Sequence, residues 1–307
     1  MKKVFIDGSA GTTGLKVSAR LEERADIELI KLDEAVRKDT SARKAVMNEA
    51  DVVFLCLPDD AAKEAVTLVE NESTVIIDTS TAHRVSEGWT YGFAEFTGQR
   101  EKIQKAKRIA NPGCHASGFL SLAVPLTEKG ILKTDMQFSC FSLTGYSGGG
   151  KKMIADYEDP ERDPLFEAPR LYGLTQVHKH LPEMKKIANL AKEPIFSPIV
   201  APYFAGMEVV IPISPKELNV TPEEIAAIYQ DYYQSRIIHF ETDDAEGGFL
   251  SAGAYAGKDD MEIRIAGNED RLLLISRFDN LGKGASGAAI QNMNIVLGMD
   301  ETEGLVL

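Results

Sequence analysis

Cysteine is scarce in this chain of 307 residues. Only Cys56, Cys114 and Cys140 occur, an odd set without paired spacing. That argues against a disulfide framework, gives no zinc signature and suits a reducing cytoplasm. Positive charge is in deficit too: 34 Lys and Arg against 47 Asp and Glu leave a net charge of -13. Such a surface argues against nucleic acid or an anionic membrane as a partner. If the substrate is an anion, its few cations must be gathered locally, so basic residues near a motif gain weight. No apolar run has the length of a membrane span, and residues 1–8 enter a strand pattern at once. The protein is therefore expected in the cytoplasm. Internal repeats and low-complexity segments are absent as well. What remains is 44% hydrophobic, enough to bury the cores of two moderate domains.

Residues 109–118 read I-A-N-P-G-C-H-A-S-G. Pro112 fixes φ and Gly113 opens angles closed to other residues, so the chain can turn sharply before Cys114. The small and apolar residues 116–126 read as a buried helix, which sets Cys114 near a helix N-terminus where a thiolate is favoured. Such a thiol attacks carbonyls. The bland alternative is a core cysteine beside an ordinary strand-to-helix turn.

Ahead of that stretch, the apolar run 4–6 leads into Gly8, Ser9, Gly11, Thr12, Thr13 and Gly14, then into a helical pattern. Strand, glycine turn and helix together suit a phosphate, which the opening N–H groups of the helix would face. The spacing is G-x-x-G-x-x-G, and on its own a plain glycine-rich turn explains it as well. Further strand-like runs at 27–32, 51–57 and 74–78, with a helical pattern at 60–70, imply an α/β unit with a doubly wound parallel sheet. Asp33 after the second run suits a ribose hydroxyl and NAD, whereas Arg37 and Lys38 suit a 2′-phosphate and NADP. The residues alone leave that choice open. The polar cluster 78–84 sits at the same sheet edge and can line a site, although His83 reads most simply as a surface loop histidine.

Beyond the central cysteine, 137–143 reads as a strand running into G-Y-S-G-G-G-K-K at 145–152, a flexible anion-binding loop or a linker. Residues 156–169 carry three prolines among charges and predict an exposed excursion. His178 and His180 stand just before a helix that Pro182 suits at its first turn. Spaced at i and i+2 they can chelate a metal, but no carboxylate or cysteine pattern supports that, and an acid/base histidine is preferred. Strands are expected at 195–203, 208–214, 237–240, 261–266 and 271–278, and Thr221 with Glu224 forms a capping box. His239 alternates within its strand and reads as structural. The small-residue stretch 279–290 begins a helix that 291–297 continue, and it returns to the first domain. This half is mixed and α+β in character, unlike the first.

Four motifs, G-S-A-G-T-T-G at 8–14, N-P-G-C at 111–114, H-K-H-L-P-E at 178–183 and K-G-A-S-G-A-A at 283–289, together resemble the N-acetyl-gamma-glutamyl-phosphate reductases. The likeness runs the whole chain, and its modest length matches the shorter type of that family. What the resemblance implies is an NADPH-dependent enzyme of arginine biosynthesis that acts on a small acyl phosphate. It further implies a Rossmann-type domain of residues 1–115 and 280–307, completed by the C-terminal helix. An α+β domain of residues 116–279 carries catalysis and dimer contacts, in a homodimer or homotetramer.

By the same resemblance Cys114 is the nucleophile, His180 the acid/base, and the glycine turn with Arg37, Lys38 and Gly284 holds NADP. Cys114 attacks the acyl phosphate, and the thioester left behind is reduced to the aldehyde. Ser147 and Lys151 are expected near the phosphate and Arg84 near the substrate carboxylate, from charge and position. His115 departs from the pattern, since many relatives carry an aromatic residue there, and this leaves room for it to influence the thiol. Aspartate-semialdehyde dehydrogenase-like chemistry is the nearest alternative. A catalytically silent NADP-binding sensor is the alternative from another class.

Overall fold

The computed structural model describes every residue except Asp244. The chain forms two compact units, one of Met1–Pro112 with Ala285–Leu305 and one of Gly113–Gly284 with Val306–Leu307. Cys114 and His115, assigned to the first domain from sequence, thus lie in the second unit, as do residues 280–284.

The first unit is built from β1 (Lys2–Asp7), α1 (Thr12–Glu22), β2 (Ile27–Ile30), α2 (Thr40–Glu49), β3 (Val52–Leu55), α3 (Asp59–Thr67), β4 (Val75–Asp78), β5 (Thr90–Tyr91), α4 (Gln99–Lys105) and β6 (Arg108–Ala110). All six strands run parallel in the order β2-β1-β3-β4-β6-β5. Both faces are covered, so residues 4–6 of β1, all of β3 and residues 75–77 of β4 are unbroken apolar runs rather than alternating ones. Val4, Ile6, Val52, Phe54 and Ile77 pack against Val17 and Leu21 of α1 and against Ala289 and Met293 of the C-terminal helix. Phe5, Val53, Leu55 and Ile76 face Met47 of α2 and Ala62 and Ala65 of α3. The C-terminal helix also secures the end of β6: Asn292 Nδ2 donates to Gly92 O and Asn111 Oδ1, and Asn111 Nδ2 donates to Ala285 O.

The second unit contains α5 (Cys114–Glu128), β7 (Ser139–Gly145), α6 (Gly150–Glu158), β8 (Arg170–Leu171), α7 (Leu181–Ile187), β9 (Ile195–Ala201), β10 (Met207–Ile213), α8 (Pro215–Leu218), α9 (Pro222–Tyr232), β11 (Ile238–Phe240), β12 (Met261–Gly267) and β13 (Leu272–Phe278). The C-terminal helix of the first unit is α10 (Gly287–Leu297). A mixed sheet runs β11-β12-β13-β10-β7-β9-β8, parallel at β7/β9 and β11/β12 and antiparallel elsewhere. α5 lies close on one face. A Cβ at Gly118 would come within 2.3 Å of Val209 Cγ2, and Ser276 Oγ donates to Gly118 O at 3.3 Å. Pro125 lies inside α5 and brings no N–H to the ladder, which frees the carbonyl of Ser121. Tyr233 Oη fills that acceptor at 2.7 Å, and Tyr229 Oη donates to Leu122 O at 2.7 Å. Those phenols come from α9 and from the residue that follows it, and the Thr221–Glu224 capping box fixes the start of that helix with both of its hydrogen bonds.

Candidate active site

At the carboxyl edge of the parallel sheet, β1 ends in Asp7 and the chain turns at Gly8 with φ +86°. A Cβ there would meet Cys56 O at 2.3 Å, and one at Gly14 would meet Gly8 O at 2.4 Å, so both glycines are required by close backbone approach. Gly11 is the N-cap of α1 and supplies no side-chain bond. The N–H groups that open this helix, at Thr12 and Thr13, therefore have no capping side chain, and a helix start of this kind suits an anion. Beside the turn lies a cavity of about 540 Å³ whose wall includes Gly8, Ser9, Leu32, Arg37, Lys38 and Arg43. An uncapped helix start, small residues and cations that include Arg37, Lys38 and Arg43 fit a dinucleotide with its phosphates.

Arg43, on α2, was not marked by sequence reasoning. Its Nη2 and Nε donate to Asp7 Oδ2 at 2.8 and 3.1 Å, and both side chains are largely buried. Arg37 by contrast is exposed and pairs with Glu34 at 2.6 Å. Asp33 is exposed and stands outside the described cavity lining.

The polar cluster after β4 is tightly bonded. Asp78 is fully buried and accepts from Ser80 N at 2.9 Å, from Ser80 Oγ at 2.8 Å, and contacts His83 Nδ1 at 2.6 Å. His83 also stacks on Trp89 with ring centroids 4.0 Å apart. The expectation of a plain surface histidine is corrected: a buried carboxylate and an indole hold it. Arg84 is 9% exposed; its Nε donates to Asn111 O at 2.9 Å and its Nη2 to Thr79 O at 3.0 Å. These bonds brace the end of β6 against the end of β4, so the guanidinium expected at a substrate carboxylate is turned onto backbone carbonyls.

In the second unit Cys114 is the first residue of α5, behind an extended Gly113 that provides no side-chain cap. The amide of Gly113 donates to Glu183 Oε1 at 2.8 Å, and Glu183 is 1% exposed. Gly284 lies in a π-turn over Gly282–Ser286. A Cβ on it would come 2.9 Å from Cys114 Cβ, so its visible role is to make room for the cysteine. Turns of this kind concentrate at functional sites.

His115 is buried, with Nδ1 at 2.6 Å from Ser142 Oγ and Nε2 at 2.6 Å from Tyr172 Oη. Burial, then the neighbouring His178 and Lys179, push its pKa down to about 3, so the imidazole is neutral. His180 stands at the N-cap of α7, buried, with its ring 5.6 Å from that of His115 and 4.8 Å from that of His178. His178 accepts from the amide of His180 at 3.2 Å, and burial followed by Lys179 lowers its pKa to about 4. Burial raises the pKa of Tyr172, with a smaller contribution from the charge of Cys114. Cys114, His115, Tyr172, His178, His180 and Glu183 thus form one cluster.

The phosphate loop expected at 145–152 is ordered instead. Tyr146–Gly149 is a 3-10 turn and Gly150 begins α6. Ser147 is 1% exposed and accepts from Asn280 Nδ2 at 2.9 Å, while Lys151 is exposed in the first turn of α6. Of the three expected substrate ligands, Lys151 alone presents its charge to solvent. Sequence reasoning missed Tyr172, a lone tyrosine in a loop, which carries no pattern. It quoted Glu183 inside a motif without a role, although a carboxylate in a first helical turn is a usual capping signal.

Residues 114–280 match the family model of the semialdehyde dehydrogenase dimerisation domain, and residues 14–106 match that of the semialdehyde dehydrogenase NAD binding domain. A Brucella suis protein named N-acetyl-gamma-glutamyl-phosphate reductase is 45% identical over 96% of this chain and 99% of its own length. The chain belongs to the N-acetyl-gamma-glutamyl-phosphate reductases. N-acetyl-gamma-glutamyl-phosphate reductase 2 of a Nostoc species is 44% identical, covering 99% of both chains. The fold of this family member is shared with aspartate semialdehyde dehydrogenase II from Vibrio cholerae, at a TM-score of 0.68 and 14% identity over 97% of this chain and 99% of that one. Aspartate semialdehyde dehydrogenase with NADP from Candida albicans aligns with a TM-score of 0.65 and 15% identity, covering 97% and 98%. Among the described residues, no helix is long and apolar enough to cross a membrane.

Proposed function

We propose that this chain reduces N-acetyl-gamma-glutamyl phosphate to N-acetyl-glutamate 5-semialdehyde and phosphate, as a step of arginine biosynthesis, through a thioester on Cys114. The observation that carries the reading is Cys114 at an uncapped helix start, inside a histidine cluster, in a chain 45% identical to a reductase of that name. The Cys114 sulfur attacks the acyl carbon, and the C–O bond to phosphate breaks. The Gly8–Gly14 turn with Arg37 and Lys38 would hold NADPH, which would supply the hydride for the thioester carbonyl. His180 protonates the resulting oxygen and takes that proton back as the C–S bond breaks and the aldehyde leaves. A placed acid/base of this sort contributes roughly a hundredfold or more. N–H groups around Cys114 hold the developing oxyanion. Lys151 is the remaining candidate for the substrate phosphate.

We also assign cofactor binding to the first unit and catalysis with self-association to the second. Strand register sets Phe141, Ile195, Val210 and Leu273 on the sheet face opposite α5. Three of these side chains are 46%, 52% and 42% exposed (Phe141, Ile195 and Leu273). An apolar face of this kind suits a second copy of the chain in a homodimer or a homotetramer built from it. The three cysteines, none of them in a disulfide, support a cytoplasmic setting.

A coupled assay of NADPH consumption tests the reading, with N-acetyl-gamma-glutamyl phosphate and aspartyl phosphate as parallel substrates. Turnover of the first is expected. Preference for aspartyl phosphate, or cofactor binding without turnover of either, overturns it.

A further inference from the structure

Arg170 and Leu171 of β8 pair with Val200 and Ile199 of β9, and the amide of Tyr172 donates to Pro198 O at 3.0 Å. Continued by two residues, that antiparallel register would set Leu174 against Phe196. The chain turns away instead at Gly173, with φ +63°, and Leu174 is 74% exposed. The departing main chain does not reach the N–H and C=O of Phe196. Gln176 takes both: Phe196 N donates to Gln176 Oε1 at 2.9 Å, and Gln176 Nε2 donates to Phe196 O at 2.7 Å. A primary amide carries a donor and an acceptor side by side, as a peptide group does. The side chain thus stands where a strand residue would have paired. Gln176 adopts a left-handed φ of +56° at this position, a conformation that disfavours side chains other than those the surroundings hold in place.

Phe196 is also the residue on which two histidines pack. Its ring is buried and lies 5.1 Å from that of His178 and 5.2 Å from that of His115. His178 follows Gln176 by two residues and accepts from the amide of His180 at 3.2 Å, which braces the turn up to the N-cap of α7. We infer that Gln176 is a positioning residue for the reaction, its amide clamping the turn 173–180 to β9 at Phe196 and so setting the place of His178 and, through it, of His180. The inference rests on His180 as the acid/base. Gln176→Glu nearly keeps the shape but offers acceptors only, and it turns a negative oxygen toward the Phe196 carbonyl. Gln176→Gly removes the amide and relieves the left-handed backbone at the same time.

Histidine ring resonances followed by NMR against pH read the clamp without substrate, with His178→Asn to assign the signal. Burial lowers the pKa of His178 to about 4, so its signal should stay flat from about pH 8 down to about pH 5 in the unmodified protein. Gln176→Glu and Gln176→Gly should bring its midpoint into that range, toward the ordinary 6.5, as the ring leaves its buried place. In both variants kcat should fall roughly tenfold, because a small displacement of an acid/base is enough, while KM for NADPH stays nearly unchanged. Gln176→Gly should keep the melting temperature of the unmodified protein, so its lost turnover reports placement and not unfolding. A flat His178 signal in both variants overturns the clamp. A shifted midpoint with unchanged kcat keeps the clamp and removes His180 from the chemistry, so that failure belongs to the acid/base assignment. If Gln176→Glu does not fold, Gln176→Gly decides alone.

Discussion

The buried carboxylate of Glu183 accepts a hydrogen bond from the amide of Gly113 at 2.8 Å, one residue ahead of Cys114. The start of α7 therefore holds the start of α5, and the motif that supplies His180 also fixes the turn that presents the thiol. Glu183→Ala would leave a buried N–H unsatisfied, at a cost of about 1 to 3 kcal/mol. Urea unfolding should show that loss, together with a lower kcat and a nearly unchanged KM for NADPH. Glu183→Gln keeps an acceptor and should recover most of both. Unchanged stability in Glu183→Ala would remove Glu183 from this role.

Cys114→Ser should abolish thioester formation while leaving the fold and cofactor binding almost intact, because oxygen fills nearly the same volume and is a far weaker nucleophile. Cys56 and Cys140 should be dispensable. Burial pushes the Cys56 thiol up to about 12 and raises that of Cys140 as well, so neither ionises at working pH. Mass spectrometry of protein mixed with substrate but no cofactor should find the acyl group on Cys114. An adduct on another residue would refute the assignment.

His180→Asn should slow turnover far more than His178→Asn. His178 accepts from the amide of His180 and is already neutral above about pH 4, so it contributes no ionisation to the rate at neutral pH. Its loss should loosen the turn and cost a few-fold in kcat, against roughly a hundredfold for the acid/base itself. A larger loss at position 178 would exchange the two roles.

Acid stability follows from the same cluster. The pKa values of His115 and His178 are lowered to about 3 and about 4 from 6.5, so the native state resists protons that the unfolded chain accepts. With more protons bound in the unfolded state, stability rises with pH through this window. Their contribution is full above about pH 6.5 and is lost as pH falls toward 4. The melting temperature should drop between pH 7 and 5, before most carboxylates titrate, and His115→Gln should flatten that drop. An equal drop in the variant would trace it elsewhere.

The parts legible in the sequence were those in which backbone geometry dictates the residue. Gly8 and Gly14 admit no Cβ, Thr221 and Glu224 cap each other, and the central strands β3 and β4 carry unbroken apolar runs. Cys114 was found because a proline and a glycine precede it. α2 was missed because it buries only Met47, which leaves no apolar stripe to read. Arg84 and Ser147 show the other limit. Their charge or hydroxyl suggested a ligand, whereas their partners, the carbonyls of Asn111 and Thr79 and the amide of Asn280, are set by tertiary contacts that spacing does not encode. Arg43 and Tyr172 were illegible for the same reason.

Cofactor choice turns on where Arg37, Lys38 and Arg43, three of the four cations of the cavity wall, stand. Arg37 and Lys38 are exposed on the loop after β2, and the pairing of Arg37 with Glu34 is between exposed groups, which bind each other weakly in water. They are free to turn to a 2′-phosphate with charge-assisted hydrogen bonds. Arg43 is held by Asp7, which cancels its charge and fixes its plane in the cavity wall. Arg37→Ala/Lys38→Ala should therefore weaken NADPH by about 1.5 to 3 kcal/mol per lost charged contact and leave NADH almost unchanged. Arg43→Lys, which keeps the charge and loses the planar guanidinium, should weaken both cofactors alike. Fluorescence titration of NADPH and NADH, with 2′-AMP and 5′-AMP as competitors, separates the two effects without turnover. If the unmodified protein binds NADH the more tightly, Asp33 holds the ribose and the two loop cations have been given the wrong task.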